Sequence, residues 1–219
     1  MTSTTFDTDV LILGAGGTGL SAACAAAQAG VKVIVVDADE KSGGTTALSG
    51  GVIQAAGTEW QKEFTDFQDD TPDKHAQCYI EQSEGIGHED LITTMCSRAP
   101  ELVEWLSTIG INWVSVYGNC HVPYVTEGLH ADRIHVYEGG GAGGQGGVLT
   151  DAETAEAERL GATFEYNTTA KRLIFTEGKG VMGAIVERDG AELAIKASKG
   201  VVVATGGFAA NVELRSAYN

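Results

Sequence analysis

The chain has 219 residues, of which 43% are hydrophobic, and its formal net charge is −16. This acidic balance predicts no nucleic-acid partner and no anionic membrane partner, because both surfaces carry the same sign of charge. The polar start predicts no signal peptide, and the absence of a long apolar run predicts no membrane span. The four cysteines have no metal-binding spacing and suit a reducing compartment, so we expect no bound metal and a cytoplasmic location.

The first predicted elements form a βαβ unit. Apolar residues predict a buried strand at 9–13, an alanine-rich run predicts a helix at 21–29, and β-branched residues predict a second strand at 31–36. Strands that are apolar along their whole length are typical of a parallel sheet that is covered on both faces. Residues 38–58 are rich in glycine, threonine and serine, and we expect an extended loop there.

The middle of the chain predicts three helices and then an irregular segment. The helices are expected at 73–84, 88–98 and 100–109, with Pro100 at the start of the third. Residues 114–147 show no clear period, and a long loop inside a compact domain is usually functional.

An acidic run precedes these helices and contains Asp66, Asp69, Asp70 and Asp73. It is open to two interpretations, a solvated face or a metal site. We favour the solvated face.

The second half of the chain predicts one helix and then several strands. The helix is expected at 148–160, and glycine turns separate short strands at 169–176, 181–188 and 192–197. Another buried strand is expected at 201–204. The elements together predict an α/β fold with a parallel sheet plus a three-stranded antiparallel meander.

A glycine-rich motif follows the first predicted strand and opens the first helix: Gly14-Ala15-Gly16-Gly17-Thr18-Gly19. In a dinucleotide-binding turn, the first glycine permits the tight turn, the second lets a pyrophosphate approach the backbone, and the third allows the helix to pack on the strand. The second strand ends at Asp37, followed by Ala38, where a carboxylate accepts hydrogen bonds from a ribose hydroxyl. The alternative is a glycine turn with a structural role only.

Two later segments favour FAD over NAD as the dinucleotide. The first is Gly43-Gly44-Thr45-Thr46-Ala47-Leu48-Ser49-Gly50-Gly51, whose glycines let the backbone lie along a ligand and whose hydroxyls can bond a ring edge. The second is the strand end Ala204-Thr205-Gly206-Gly207, which we expect to return beside the pyrophosphate. The alternatives are a flexible linker for the first segment and an ordinary strand end for the second.

These motifs make the sequence similar to the flavoproteins related to fumarate reductase and 3-ketosteroid dehydrogenase. The resemblance is carried by 14–19, Asp37, 43–51, and 204–208 with Asn211, and it covers nearly all of the chain. It implies a Rossmann-like FAD-binding domain of the glutathione-reductase type, with residues 1–219 as the N-terminal part of that domain. It also implies that FAD binds in an extended form and that hydride moves between flavin N5 and a carbon next to an activating carbonyl or carboxylate.

The resemblance also carries finer implications for the cofactor. Members with covalent flavin have a histidine before the threonine, and Gly44 holds that place here, so we expect noncovalent FAD. The backbone near Ala170 is expected to touch the adenine.

Family members are longer and continue into a capping domain before they complete the FAD site. Either the chain is a fragment of such a protein, or a second polypeptide supplies the cap and the rest of that site. We favour a second polypeptide, because half of the protein alone would leave a large apolar face exposed. The candidates for catalysis in this chain are Tyr117, Tyr124 and His135, which lie in the irregular segment with His121, His130 and Arg133. A phenol or an imidazole can carry a proton or polarise a carbonyl, although packing or surface roles are the alternative for each.

Three functions remain open from the sequence. The favoured one is an FAD-dependent enzyme component that dehydrogenates or reduces a carbon–carbon bond of a small-molecule substrate. The alternatives are a noncatalytic subunit that holds FAD or transfers electrons, and an NAD-dependent enzyme.

Overall fold

The computed structural model describes residues 5–118 and 122–218. These residues divide into two compact units, one made of Met1–Leu48 with Gly146–Asn219 and the other of Ser49–Gln145. The loop candidate His121 lies outside the described residues, as does Cys120.

In chain order, the strands are β1 (Thr5–Leu13), β2 (Val33–Val36), β3 (Val52–Gln54), β4 (Trp113–Tyr117), β5 (Ile134–Tyr137), β6 (Thr163–Glu165), β7 (Thr169–Thr176), β8 (Gly180–Arg188) and β9 (Ala191–Val203). The helices are α1 (Gly17–Gln28), α2 (Gly44–Leu48), α3 (Glu59–Phe64), α4 (Pro72–Gln82), α5 (Glu89–Thr108), α6 (Gly147–Arg159) and α7 (Val212–Tyr218).

The first unit is built on a six-stranded sheet in the order β6-β2-β1-β9-β8-β7. β6, β2, β1 and β9 pair in parallel, and β8 and β7 continue the sheet as an antiparallel meander with β9. The strands share a core made of Leu11, Leu13, Ile34, Val36, Ala184, Val186, Ile195 and Ala197. The predicted α/β fold, with a parallel sheet and a three-stranded meander, is confirmed.

One long strand replaces two that the sequence predicted at 192–197 and 201–204. β9 pairs with β1 along most of its length, so the chain between the predicted strands stays in the sheet. A β-bulge places residues 198 and 199 opposite Asp9, and Ser198 Oγ donates a hydrogen bond of 2.8 Å to Asp9 Oδ1. The bulge explains why two strands were expected.

Three short elements of the first unit were not predicted from the sequence. Residues 44–48 form the helix α2 instead of an extended loop, and Ala47 N donates to Gly43 O at 3.1 Å. The strand β6 extends the parallel sheet beside β2, and α7 follows β9.

The second unit contains a three-stranded antiparallel sheet in the order β3-β5-β4, together with α3, α4 and α5. The expectation of an irregular segment over 114–147 is therefore wrong in part, since most of β4 and all of β5 lie within it. Trp113, Val136 and Tyr137 are buried in this sheet, and their packing stabilises its strands. The strands β4 and β5 are too short for an alternation of apolar and polar residues to be recognised in the sequence.

The helix α5 is continuous where two helices were predicted around Pro100. Its buried residues Cys96, Ala99, Val103 and Leu106 follow a spacing of three or four residues through the proline. The apolar face therefore holds the helix together although a proline nitrogen has no N–H to donate.

The acidic run is only partly a solvated face. Asp66, Asp69 and Asp73 are not buried, but Asp70 is 7% exposed and forms an ion pair with buried Arg133 at 2.7 Å. Burial alone would raise the pKa of Asp70, but hydrogen bonds from Arg133 and Gln61 lower it below its ordinary value. The ion pair joins the segment just before α4 to the residue just before β5.

None of the helices in the described ranges has the length and apolar character that a membrane crossing requires.

Candidate functional site

The glycine motif forms the turn between β1 and α1, as predicted. Gly14 N donates to Val36 O at 2.8 Å, and Gly14 has a φ of 107°, which favours glycine. A Cβ on Gly14 would lie 2.3 Å from Ala204 O, and Ala204 N donates to Leu13 O at 2.8 Å. The end of β9 therefore lies directly against the turn.

Gly19 is also required by packing within the chain. A Cβ at this position would lie 1.8 Å from Gly14 O and 3.4 Å from the side chain of Ile12. The helix can approach the strand this closely only without a side chain.

Gly16 differs from both of these glycines. Its φ of −82° is accessible to any residue, and a Cβ would meet only Gly43 O, at an ordinary contact distance of 3.8 Å. Among the described residues, no atom of the chain itself requires glycine here. The free space lies at the N-terminus of α1, where backbone N–H groups and the helix dipole favour a phosphate.

Asp37 follows the end of β2 and is hydrogen bonded to the turn. Its carboxylate accepts hydrogen bonds from Ala15 N at 2.6 Å and from Asp39 N at 2.8 Å. A carboxylate has about four acceptor sites, so capacity remains for a ribose hydroxyl. The side chain is half-buried and Ala38 is exposed.

The start of β7 lies beside Asp37. Thr168 N donates to Asp37 O at 2.8 Å, and Asn167 N donates to Asp39 O at 2.9 Å. Ala170 follows two residues later in β7. Sequence reasoning missed Asn167 and Thr168, although an asparagine tolerates the positive φ that Asn167 adopts here, 50°.

The first part of the threonine-rich segment also reaches the turn. Gly43 N donates to Ala15 O at 2.9 Å, and Gly43 forms a parallel bridge with Gly16. Thr46 Oγ1 accepts from Gly17 N at 3.1 Å, so Thr46 covers one N–H group of α1. Gly44 and Thr45 are exposed.

The strand end after β9 is open. Thr205, Gly206 and Gly207 are exposed, and a Cβ on either of these glycines would have no neighbour within 4 Å among the described residues. Gly206 has a φ of 76°, which favours glycine.

Ser49, Gly50 and Gly51 belong to the second unit. Gly51 N donates to Ser49 Oγ at 3.2 Å, and Gly50 O accepts from Gly141 N at 2.7 Å. The end of the threonine-rich segment therefore contacts the loop that contains Gly141 within this unit.

The candidate catalytic residues have contrasting environments in the second unit. Tyr117 and Tyr124 are exposed. Partial desolvation and a hydrogen bond to Glu84 raise the pKa of Tyr124, so its phenol keeps its proton at neutral pH. Their catalytic roles stay predictions.

His135 is fully buried, and both of its ring nitrogens are hydrogen bonded. Nε2 lies 2.6 Å from Thr58 Oγ1, and Nδ1 lies 2.8 Å from Arg133 O. Burial lowers the pKa of His135 below its ordinary value. These contacts are those of a packed histidine, and its catalytic role stays a prediction. Of the other loop candidates, His130 Nε2 accepts from Val122 N at 3.0 Å.

The fold and the turn define a dinucleotide-binding domain, and comparison with known proteins gives its family. The FAD binding domain family matches residues 9–218, so the chain belongs to that family. Its cofactor is FAD. The space at Gly16 and the free acceptor capacity of Asp37 fit the diphosphate and a ribose of this cofactor.

The relatives of the chain include both flavoprotein groups that the sequence resembles. A urocanate reductase of Eggerthella lenta is 32% identical over 98% of this chain and 34% of that protein. A 3-ketosteroid-Δ4-(5α)-dehydrogenase of Rhodococcus jostii RHA1 superposes with a TM-score of 0.89 and 29% identity, over 99% of this chain and 49% of that one. An open flavocytochrome c3 fumarate reductase superposes with a TM-score of 0.84 and 27% identity, over 98% of this chain and 36% of that one.

The predicted resemblance and the FAD-binding fold are therefore confirmed. The chain spans between about a fifth and two fifths of the length of the curated relatives that it matches.

Proposed function

We propose that this chain is the FAD-holding part of an oxidoreductase that acts on a carbon–carbon bond next to a carbonyl or carboxylate. When bound, FAD supplies a flavin N5 that exchanges hydride with the substrate carbon. The names of the urocanate reductase, the fumarate reductase and the ketosteroid dehydrogenase support this reaction class. Urocanate and fumarate each contain a carbon–carbon double bond next to a carboxylate, and a ketosteroid has carbon–carbon bonds next to a ketone.

The free space at Gly16 is the observation that carries the cofactor assignment. The chain itself requires glycine at Gly14 and Gly19, whereas at Gly16 the described residues leave room for a ligand. In this proposal, the N-terminus of α1 holds the diphosphate and Asp37 holds a ribose. No side chain of the described turn carries a positive charge, so the backbone N–H groups and the helix dipole provide the attraction.

The predicted contacts of the remaining cofactor residues stay part of the proposal. They concern Thr18, Gly44, Thr45, Ser49, Gly50, Gly51, Ala170, Thr205, Gly206 and Gly207. Noncovalent attachment is proposed because Gly44 cannot form the bond that a histidine forms. A cytoplasmic location is likewise still a prediction.

We also propose that a second polypeptide supplies the cap and the rest of the FAD site. The segment after β9 exposes several large apolar side chains: Phe208, Val212, Leu214 and Tyr218. Apolar side chains that are grouped on a surface usually mark a contact with another part of a protein. Native mass spectrometry of the purified protein should show a second, different chain in constant ratio, and a catalytically active monomer of this chain would contradict the proposal.

Transfer of hydride to an acceptor tests the proposed reaction. The flavin of the purified complex of this chain with its second polypeptide is reduced by light under anaerobic conditions. The complex is then mixed with urocanate, fumarate or 4-androstene-3,17-dione, each of which has a double bond conjugated to a carbonyl or carboxylate. We expect at least one of them to reoxidise the flavin, with two hydrogens added across its double bond, as shown by absorbance and product mass.

The noncatalytic alternative gives a different result in the same experiment. A subunit that only holds FAD or transfers electrons would be reoxidised by ferricyanide but by none of the three organic acceptors. That outcome would contradict the proposed reaction and leave the FAD assignment intact.

A further inference from the structure

A buried acid lies between the cofactor helix α1 and the helix α6. The side chain of Glu153 is 2% exposed, and its Oε1 accepts a hydrogen bond of 2.6 Å from Ser21 Oγ of α1. Cys24 Sγ of α1 also donates to Glu153 O at 3.3 Å. The remaining oxygen, Oε2, is buried without a hydrogen-bond partner among the described residues.

None of the described residues supplies a cation that balances this acid. The helices packed against α6 are α1, whose titratable residue is Cys24, and α2, which has none. The sequence of α6 itself adds Asp151, Glu156 and Glu158, and its terminal Arg159 is exposed and pairs with Glu156 at 2.7 Å.

A carboxylate in such surroundings is costly, because burial removes its hydration and, among the described residues, only the hydrogen bond from Ser21 replaces part of it. The same loss of hydration raises the pKa of Glu153 to about 7, although the hydrogen bond from Ser21 acts in the opposite direction. Burial and nearby acids raise the pKa of Cys24 to about 12, so its thiol stays neutral.

The position of α6 relates this acid to the cofactor turn. Ser21 lies one turn into α1, the helix whose N-terminus forms the phosphate site. On α6, Thr150 precedes Glu153 by one turn, and its Oγ1 is 3.8 Å from where a Cβ of Gly43 would lie. Gly43 in turn donates to Ala15 O in the turn. The helix α6 therefore packs against α1 and also lies beside Gly43, which is hydrogen bonded to the turn.

From this arrangement we infer that Glu153 is a positioning residue, which as a neutral acid holds α6 against α1 and whose ionisation weakens FAD binding. The inference rests on the proposed function, because FAD is the ligand whose affinity it describes. An ionised carboxylate must be hydrated, and water can reach it only if the two helices separate. The phosphate site at the N-terminus of α1 would be displaced with them.

The experiment measures the affinity of the protein for FAD, by flavin fluorescence, from about pH 5.5 to pH 8.5. Coupling between two sites usually changes an affinity by about fivefold or more. We therefore expect the affinity for FAD to be about fivefold or more lower at pH 8.5 than at pH 5.5, and the midpoint of this change to lie near the pKa of Glu153, about 7. Glu153→Gln keeps the shape of the side chain without the charge, and its affinity should not vary with pH. Glu158→Gln makes the same change on an exposed position of α6 and should behave as the wild type.

A second variant keeps the inference testable if Glu153→Gln does not fold. Ser21→Ala removes the hydrogen bond that lowers the pKa of Glu153, so the midpoint should move to higher pH. If Glu153 had only a structural role, Ser21→Ala would not move the pH midpoint of FAD binding.

Two outcomes separate this inference from the proposed function. If the wild type binds FAD equally well at every pH, or if Glu153→Gln keeps the wild-type pH profile, the inference is overturned and the cofactor assignment stands. Failure to bind FAD at any pH would overturn both.

Discussion

At the scale of single residues, three of the four glycines in the turn, Gly14, Gly16 and Gly19, differ in what requires glycine at their positions. Gly14 and Gly19 are required by close backbone contacts within the chain, and Gly14 also by its positive φ. Gly16 has neither constraint. Sequence spacing predicts all three alike, but only the structure separates the two that serve folding from the one that leaves room for a ligand.

Gly19→Ala should destabilise the fold itself. The new Cβ would lie 1.8 Å from Gly14 O, which is backbone and cannot rotate away. We expect a loss of about 3 kcal/mol or more in the free energy of unfolding, at the upper end of overpacking effects. Urea unfolding measures this, and a loss below about 1 kcal/mol would show that the turn can relax around the methyl group.

Glu153 should make the stability of the first unit depend on pH. Its pKa is raised from an ordinary value of 4.5 to about 7, so its stabilising contribution is complete below pH 4.5 and is lost as the pH rises through about 7. At 1.36 kcal/mol per pKa unit, the loss amounts to about 3 kcal/mol.

Glu153→Gln should therefore be more stable than the wild type at about pH 8 and similar to it at about pH 4.5. Thermal unfolding at the two pH values measures the difference, with Glu158→Gln as the exposed control. Equal melting temperatures for Glu153→Gln and wild type at the higher pH would show that the carboxylate is accommodated without cost.

At the scale of secondary structure, hydrophobic pattern predicted the elements well where it is long and local. The βαβ unit, the helix at 148–160 and the meander follow from periodicity and glycine turns alone. The errors lie where contacts distant in sequence decide the structure. β9 stays one strand because β1 pairs along it, and β5 forms because β3 and β4 flank it.

Pro100 shows how packing outweighs local preference in α5. A proline inside a helix costs about 3 kcal/mol relative to alanine, yet the buried stripe from Cys96 to Leu106 keeps the helix continuous. Pro100→Ala should restore a hydrogen bond to Cys96 O and stabilise the protein by about 1–3 kcal/mol. Urea unfolding followed by circular dichroism measures the change, and a destabilised variant would mean that the proline itself packs favourably.

At the scale of the whole molecule, the class of cofactor was predictable and the exact shape of its site was not. The glycine spacing and the acid at Asp37 identify a dinucleotide turn, because each requirement is local to one strand, one turn and one helix. The closure of that turn by Ala204, Gly43 and Thr46 depends on contacts between distant segments. Spacing also cannot show that Glu153 faces Ser21, 132 residues away along the chain.

The candidate catalytic residues belong to the second unit, and the cofactor turn belongs to the first. The chain spans between about a fifth and two fifths of the length of the curated relatives that it matches, and the proposed catalytic tyrosines lie in the second unit. Tyr117 and Tyr124 are exposed, whereas His135 is buried and both of its ring nitrogens are hydrogen bonded.

The FAD content of purified Gly16→Ala tests the central claim most directly. The matched control is Gly200→Ala, since a Cβ at Gly200 in β9 also meets nothing within 4 Å among the described residues, away from the turn. Both variants should keep the wild-type melting temperature of the FAD-free protein. We expect Gly200→Ala to retain FAD and Gly16→Ala to bind it about tenfold or more weakly, because its methyl group occupies the phosphate space. Wild-type FAD affinity in Gly16→Ala would contradict the account.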